Sequence, residues 1–203
     1  MRTKLIVAAL AGAFTFGTAF AANAAMSDAD YKAQKDKVAA DYKAMKDRCK
    51  GMSGNAKDIC QAEVKGEHEI AEKQLQADYK PTEKNQYDLR VAKADATYKV
   101  AKEKCDDLKG NDKDVCNKEA KAAFTKAKAD AKVSKTVATQ TANPSTTLVN
   151  KESKAPEKIA DAKREAVDDK KDAEYKVAKE KCDALSGQPK DNCVAQAKLK
   201  YGK

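Results

Sequence analysis

Apolar positions along this chain recur at alternating steps of four and three. Tyr87, Val91, Ala94, Tyr98, Ala101, Cys105 and Leu108 keep that spacing, with lysine, aspartate and glutamate filling the positions between them. This is the seam of a helix that packs along one face against another helix. The same pattern runs through Tyr31, Val38, Tyr42, Met45, Cys49 and Met52. It breaks at Gly54, Gly110 and Gly187 and then resumes, so each stretch reads as helix, tight turn, helix.

The stretch from Tyr98 to Lys121, YKVAKEKCDDLKGNDKDVCNKEAK, has two relatives inside the chain. They are Tyr42 to Lys65, YKAMKDRCKGMSGNAKDICQAEVK, and Tyr175 to Lys198, YKVAKEKCDALSGQPKDNCVAQAK. A tyrosine, two cysteines, a glycine and a Lys-Asp pair stand at identical offsets in all three. Tyr42, Tyr98 and Tyr175 each precede the first cysteine by two helical turns, which places them on the cysteine's face to pack against the returning helix. Gly54, Gly110 and Gly187 supply the left-handed residue of the turn. Asn55 and Asn111 are expected to cap the returning helices, with Pro189 opening the third.

Six cysteines allow 15 pairings, and the repeat selects Cys49 with Cys60, Cys105 with Cys116, and Cys182 with Cys193. Zinc is the competing use of paired cysteines, but it favours four ligands at shorter spacing, and His68 is the chain's one histidine. No metal and no cofactor are expected. The fold class expected is all-α: three disulfide-clamped antiparallel helical hairpins, elongated and coiled-coil-like.

Residues 1–24 join Arg2 and Lys4 to an apolar run and end in Ala22-Asn23-Ala24, the form of a cleavable secretory signal. Hairpins are expected over 25–80, 81–133 and 157–203. The stretch 134–156, rich in threonine and holding Pro144 and Pro156, reads as a flexible linker. The third hairpin's return arm is short, which leaves the proximal half of its outgoing helix, near Ile159 and Val167, without an expected mate inside the chain. That half is a candidate for self-association or contact with a partner helix. Gly66 reads as a weak point in the first return arm, and Glu67-His68-Glu69 as exposed helix surface.

Composition narrows the function classes. Charged residues make up 36% of the chain and tryptophan is absent, too little apolar material for a broad core. Loss of the signal takes the formal charge from +9 to +7. The excess is dispersed among i,i+4 pairs such as Lys99 with Glu103, which argues against specific nucleic-acid binding. No phosphate loop, HExxH, GxSxG or CxxC is present, so no catalytic residues are expected. Export and disulfides point to the periplasm, with no membrane span once the signal is removed.

The phrases AEYKVAKEKCDALSG, KDVCNKEAKAAF and AKADAK resemble a group of exported Gram-negative Ala/Lys-rich repeat proteins described as cell-envelope biogenesis or TolA-like. The resemblance implies an envelope location and a non-catalytic role, and it carries over no functional residues. The leading expectation is a structural or interaction protein of the envelope, with a protein or envelope polymer as partner. A stress-protectant or chaperone-like helical protein, and a nonspecific binder of anionic envelope polymers, are the alternatives.

Overall fold

A computed structural model describes residues 26–142 and 154–203; the expected signal at 1–24 lies outside them. Among the described residues the chain forms α1 (Asp28–Arg48), a short 3-10 turn (Cys49–Gly51), α2 (Gly54–Tyr79), α3 (Glu83–Cys105), α4 (Gly110–Thr141), α5 (Ala155–Cys182) and α6 (Gly187–Tyr201). The fold is all-α and built from helical hairpins. Ser27 and Thr82 cap α1 and α3 by accepting hydrogen bonds from the amides of Asp30 and Asn85.

Each helix packs antiparallel on the next one in sequence. The hairpins are therefore joined side by side in a single layer. Between α1 and α2, Cys49 is bonded to Cys60, Tyr42 stacks on His68 and Tyr31 stacks on Tyr79. Between α2 and α3, Lys104 meets Glu63 and Lys99 meets Glu69. The α4–α5 boundary is laced from Lys181–Glu119 through Lys126–Glu174 to Lys132–Glu165. This register runs the helices past one another over most of their length.

The buried apolar residues lie where such a layer needs them. Leu75, Ala77, Leu89, Ala92 and Ala96 are buried on α2 and α3, and Ala122, Ala129, Ala131, Ala162, Ala166 and Ala173 on α4 and α5. Alanine predominates because adjacent helices approach closely along their whole length. The approach is close at Gly66, where an added Cβ would come within 2.6 Å of the Cβ of Ala96. The glycine that reads in sequence as a flaw in the arm is the point of helix contact.

Three expectations change. The stretch 134–156 is not linker throughout, since α4 continues to Thr141 and α5 begins at Ala155. Its hydroxyls are accommodated inside the helix: Ser134, Thr136 and Thr141 donate to the carbonyls of Asp130, Lys132 and Val137. The expected linker's remaining residues, 143–153, lie outside the described ones.

The extended end of α4 then supplies what the third hairpin was expected to lack. It covers the proximal half of α5, burying Ala162 and Ala166. Opposite that contact, α5 carries Arg164, Asp168 and Lys171, all exposed, where α3 has the half-buried Tyr87, Val91 and Ala94 at the same distances from its cysteine. The side of α5 that α6 is too short to reach is polar except for Val167, which is 49% exposed.

The helix caps also differ from expectation. Ser53, Lys109 and Ser186 occupy the cap positions, without side-chain bonds to the helices they precede. Asn55 instead donates across the layer to the carbonyl of Glu103, at 2.8 Å.

Candidate interaction edge

Because α1, α3 and α5 run the same way, their C-terminal ends and the three cystine turns share one edge of the layer. Each turn is built alike. The first cysteine ends the outgoing helix and its carbonyl accepts from the amide three residues on, joining Cys49 to Met52, Cys105 to Leu108 and Cys182 to Leu185. Gly54, Gly110 and Gly187 follow at φ +57°, +55° and +57°, a conformation that L side chains rarely adopt. The disulfides then hold the two helices at Cα separations of 5.8, 5.6 and 5.6 Å, within the range cystine geometry allows.

Each turn points one large apolar side chain outward. Met52, Leu108 and Leu185 are 44%, 41% and 44% exposed. They sit at the same place in the repeat, so the edge carries a row of three apolar knobs. Successive knobs are separated by two helix spacings, ~16–20 Å. Asn55 and the carbonyl of Glu103 tie the first turn to the second across the intervening boundary. In the second and third turns Asp106 pairs with Lys113 at 3.0 Å, and Asp183 with Lys190 at 2.7 Å. This contact holds the Asp183 carboxyl below its ordinary range and raises the Lys190 ammonium above its own. The first turn has Lys50 and Lys57 at those positions, and Lys50 turns back to Asp47.

Behind the turns, the repeat tyrosines each meet a ring on the return arm. Tyr98 lies on Phe124 with centroids 5.4 Å apart, Tyr175 meets Tyr201 edge-on at 6.5 Å, and Tyr42 lies on His68 at 4.1 Å. The three partners stand eight residues beyond the second cysteine, so His68 is a member of the repeat and not an isolated surface residue. Sequence comparison of the three copies as far as Tyr201 would have aligned His68, Phe124 and Tyr201. The signal lay just past the segment in which the copies match residue by residue.

The opposite edge has a different character. There Asn85 is buried and donates to the carbonyls of Lys80 and Gln76, fixing the short connection between α2 and α3. Farther along, Tyr87, Lys132, Lys135, Thr136, Thr139, Gln140 and Lys158 line an open groove of about 430 Å³. No carboxylate lines it. Lys135 lies 4.9 Å from the ring centre of Tyr87, and among the described residues neither Lys135 nor Lys158 forms an ion pair.

Among the described residues no cluster of His, Cys, Asp and Glu has the makings of a metal site, and no helix is long and apolar enough to cross a membrane. All six cysteines are in disulfides. Comparison of the chain with protein families, with curated proteins and with solved structures finds no match.

Proposed function

We propose that the chain is a non-catalytic structural or interaction protein of the periplasm, a cystine-closed helical layer that presents its row of turns to a partner in the cell envelope. The observation that carries this reading is the repetition of Met52, Leu108 and Leu185 as exposed apolar residues on one edge. A singly exposed apolar side chain is ordinary on a protein surface, and what supports the reading is that the three recur at one place in the repeat along one edge. Three such contacts on one rigid frame bind with an effective concentration that one weak contact lacks. The disulfides support an oxidising compartment, and the resemblance to exported envelope proteins points the same way.

The test is site-specific crosslinking from the turns in the native host, comparing the wild-type chain with M52S/L108S/L185S. A discrete crosslinked species from the envelope fraction that disappears in the triple variant supports the reading. The same crosslinks from both chains, or recovery of the protein from the cytosol with free thiols, overturns it.

The lysine-lined groove at the opposite edge favours a second reading, a binder of anionic envelope polymers. Such binding would fall steeply with added salt, and K135E/K158E would abolish it while leaving crosslinking from the turns intact.

A further inference from the structure

The two boundaries between successive hairpins are made by the same contacts. The lysine just before the first cysteine of the following hairpin meets a glutamate three residues beyond the second cysteine of the preceding one. Lys104 reaches Glu63 at 3.7 Å and Lys181 reaches Glu119 at 2.7 Å. Six residues beyond the second cysteine stand Gly66 and Ala122, and nine before the following first cysteine stand Ala96 and Ala173, all four buried. At the second boundary Lys126 and Glu174 add an ion pair at 2.5 Å. The hairpins thus stack by one rule, each outgoing helix receiving the return arm before it.

Helix α1 has the receiving residues and, among the described residues, no arm to receive. Arg48 stands where α3 and α5 have Lys104 and Lys181, and Ala40 where they have Ala96 and Ala173. Ala33 and Ala29 stand where Leu89 and Ala166, and Asn85 and Ala162, are buried. Arg48, Ala40, Ala33 and Ala29 are all exposed, and α1 buries no residue. At the far side of the layer, α6 is a return arm that, among the described residues, has no following helix to dock on. It has Lys203 at the place of Lys126, and α1 has Asp41 at the place of Glu174, though within the chain Lys203 pairs with Asp172 and Asp41 with Lys37. It departs from the rule at two positions. Gln196 replaces Glu63 and Glu119, and Leu199, 84% exposed, replaces Gly66 and Ala122.

We propose that the outer face of α1 is a third receiving face of the same kind, that its fitting occupant is the return arm of a second copy of this chain, and that Gln196 and Leu199 hold that contact off. Gln196 offers Arg48 no carboxylate. Leu199 would be set against Ala40, in the register where Gly66 meets Ala96 and Ala122 meets Ala173, so its side chain is larger than anything the two filled boundaries hold at that place. A contact between α6 of one copy and α1 of the next is head-to-tail, so without these residues the layer would extend from copy to copy, as an open array or as a ring.

The test compares the wild-type chain with Q196E/L199A by sedimentation velocity up to ~1 mM, the weak end of measurable association. Both positions are exposed, and circular dichroism with nonreducing mass verifies helix content and three intact disulfides. The wild-type chain is expected to sediment as a monomer and the double variant as a concentration-dependent series of oligomers. Addition of A40W to the double variant is expected to return it to the monomer. A properly folded double variant that stays monomeric overturns the proposal. So does assembly that A40W leaves untouched, and so does a wild-type chain that assembles as readily as the variant. Q196E alone, the milder change, is expected to give a weaker series of the same kind, and it decides the matter if L199A disturbs α6.

Discussion

The imidazole of His68 lies flat on the ring of Tyr42, with planes 10° apart and centroids 4.1 Å apart. The second and third hairpins put Phe124 and Tyr201 in that place. A histidine there makes the same contact at a cost, because its Nδ1 is buried without a hydrogen-bond partner. Its Nε2 is 3.7 Å from Glu72, on the exposed side.

H68F is therefore expected to stabilise the first hairpin, by about 1 kcal/mol, since it keeps the stacked ring and removes the unsatisfied nitrogen. H68A is expected to destabilise it. Thermal unfolding of the two variants, with amide exchange to locate the change on α1 and α2, checks both signs.

Gly66 tests the spacing between hairpins. In an exposed helix, glycine to alanine gains about 1 kcal/mol. Here the added methyl would meet Ala96 at 2.6 Å, and overpacking of this kind costs about 1–3 kcal/mol. G66A is expected to lower the denaturant midpoint despite its better propensity. G66A/A96G, which moves the missing methyl to the other helix, is expected to recover most of the loss.

How far the sequence revealed this arrangement depended on what each feature required. The cystines, the glycine turns and the tyrosine seam belong to contacts within a hairpin, between residues close in the chain, and the three copies display them by repetition. Gly66 reads as a defect in one helix because its reason lies on another, at Ala96. The tail of α4 reads as linker because Ser134, Thr136 and Thr141 are poor helix formers when taken alone. Their segment is held helical by the packing of α4 on α5, and their hydroxyls are satisfied by bonds within their own turns. The apolar residue of each turn was visible as part of the seam at Met52 and Leu108. Its exposure, and its alignment with Leu185 along one edge, follow from how the hairpins join side by side.

The first turn lacks the ion pair that braces the other two. K50D would place a carboxylate opposite Lys57, as Asp106 stands opposite Lys113 and Asp183 opposite Lys190. Because both K50D and K50N give up the Lys50–Asp47 pair, K50D is expected to be more stable than K50N by about 0.5 kcal/mol, typical of an exposed pair, and the difference should shrink in high salt. K50N, which removes the charge without supplying a partner, separates pairing from relief of repulsion between Lys50 and Lys57.

Acid should loosen the third hairpin. Lys126 holds the Glu174 carboxyl below its ordinary range, and Lys190 does the same for Asp183. For carboxylates depressed in the folded state, the stabilisation is present above the unfolded pKa and is lost as pH falls through the folded one. The loss is expected from about pH 4 downward. Unfolding followed at several pH values should show α5 and α6 weakening over this window, and E174Q/D183N should flatten the dependence. Both groups are exposed, so the effect is a modest slope and not an acid collapse.

The three disulfides close loops of the same length, with a sequence separation of 11 in each. The chain-entropy account assigns each about 3 kcal/mol. Their removal should nonetheless be felt unequally. Helix α4 is held from both sides, by α3 and α5, and α2 by α1 and α3, whereas α6 packs chiefly against α5 and is the shortest helix of the six described. In C105S/C116S the return arm stays anchored by its other neighbour. In C182S/C193S the contact of Tyr175 with Tyr201, the Lys203–Asp172 pair and the burial of Ala197 must hold α6 without the bond. Amide exchange in the folded protein is expected to accelerate throughout α6 in C182S/C193S, with little change in α1 to α4. The C105S/C116S chain should instead lose stability without local release of α4. Equal protection of α6 with and without its cystine would mean that packing on α5 suffices to hold that helix.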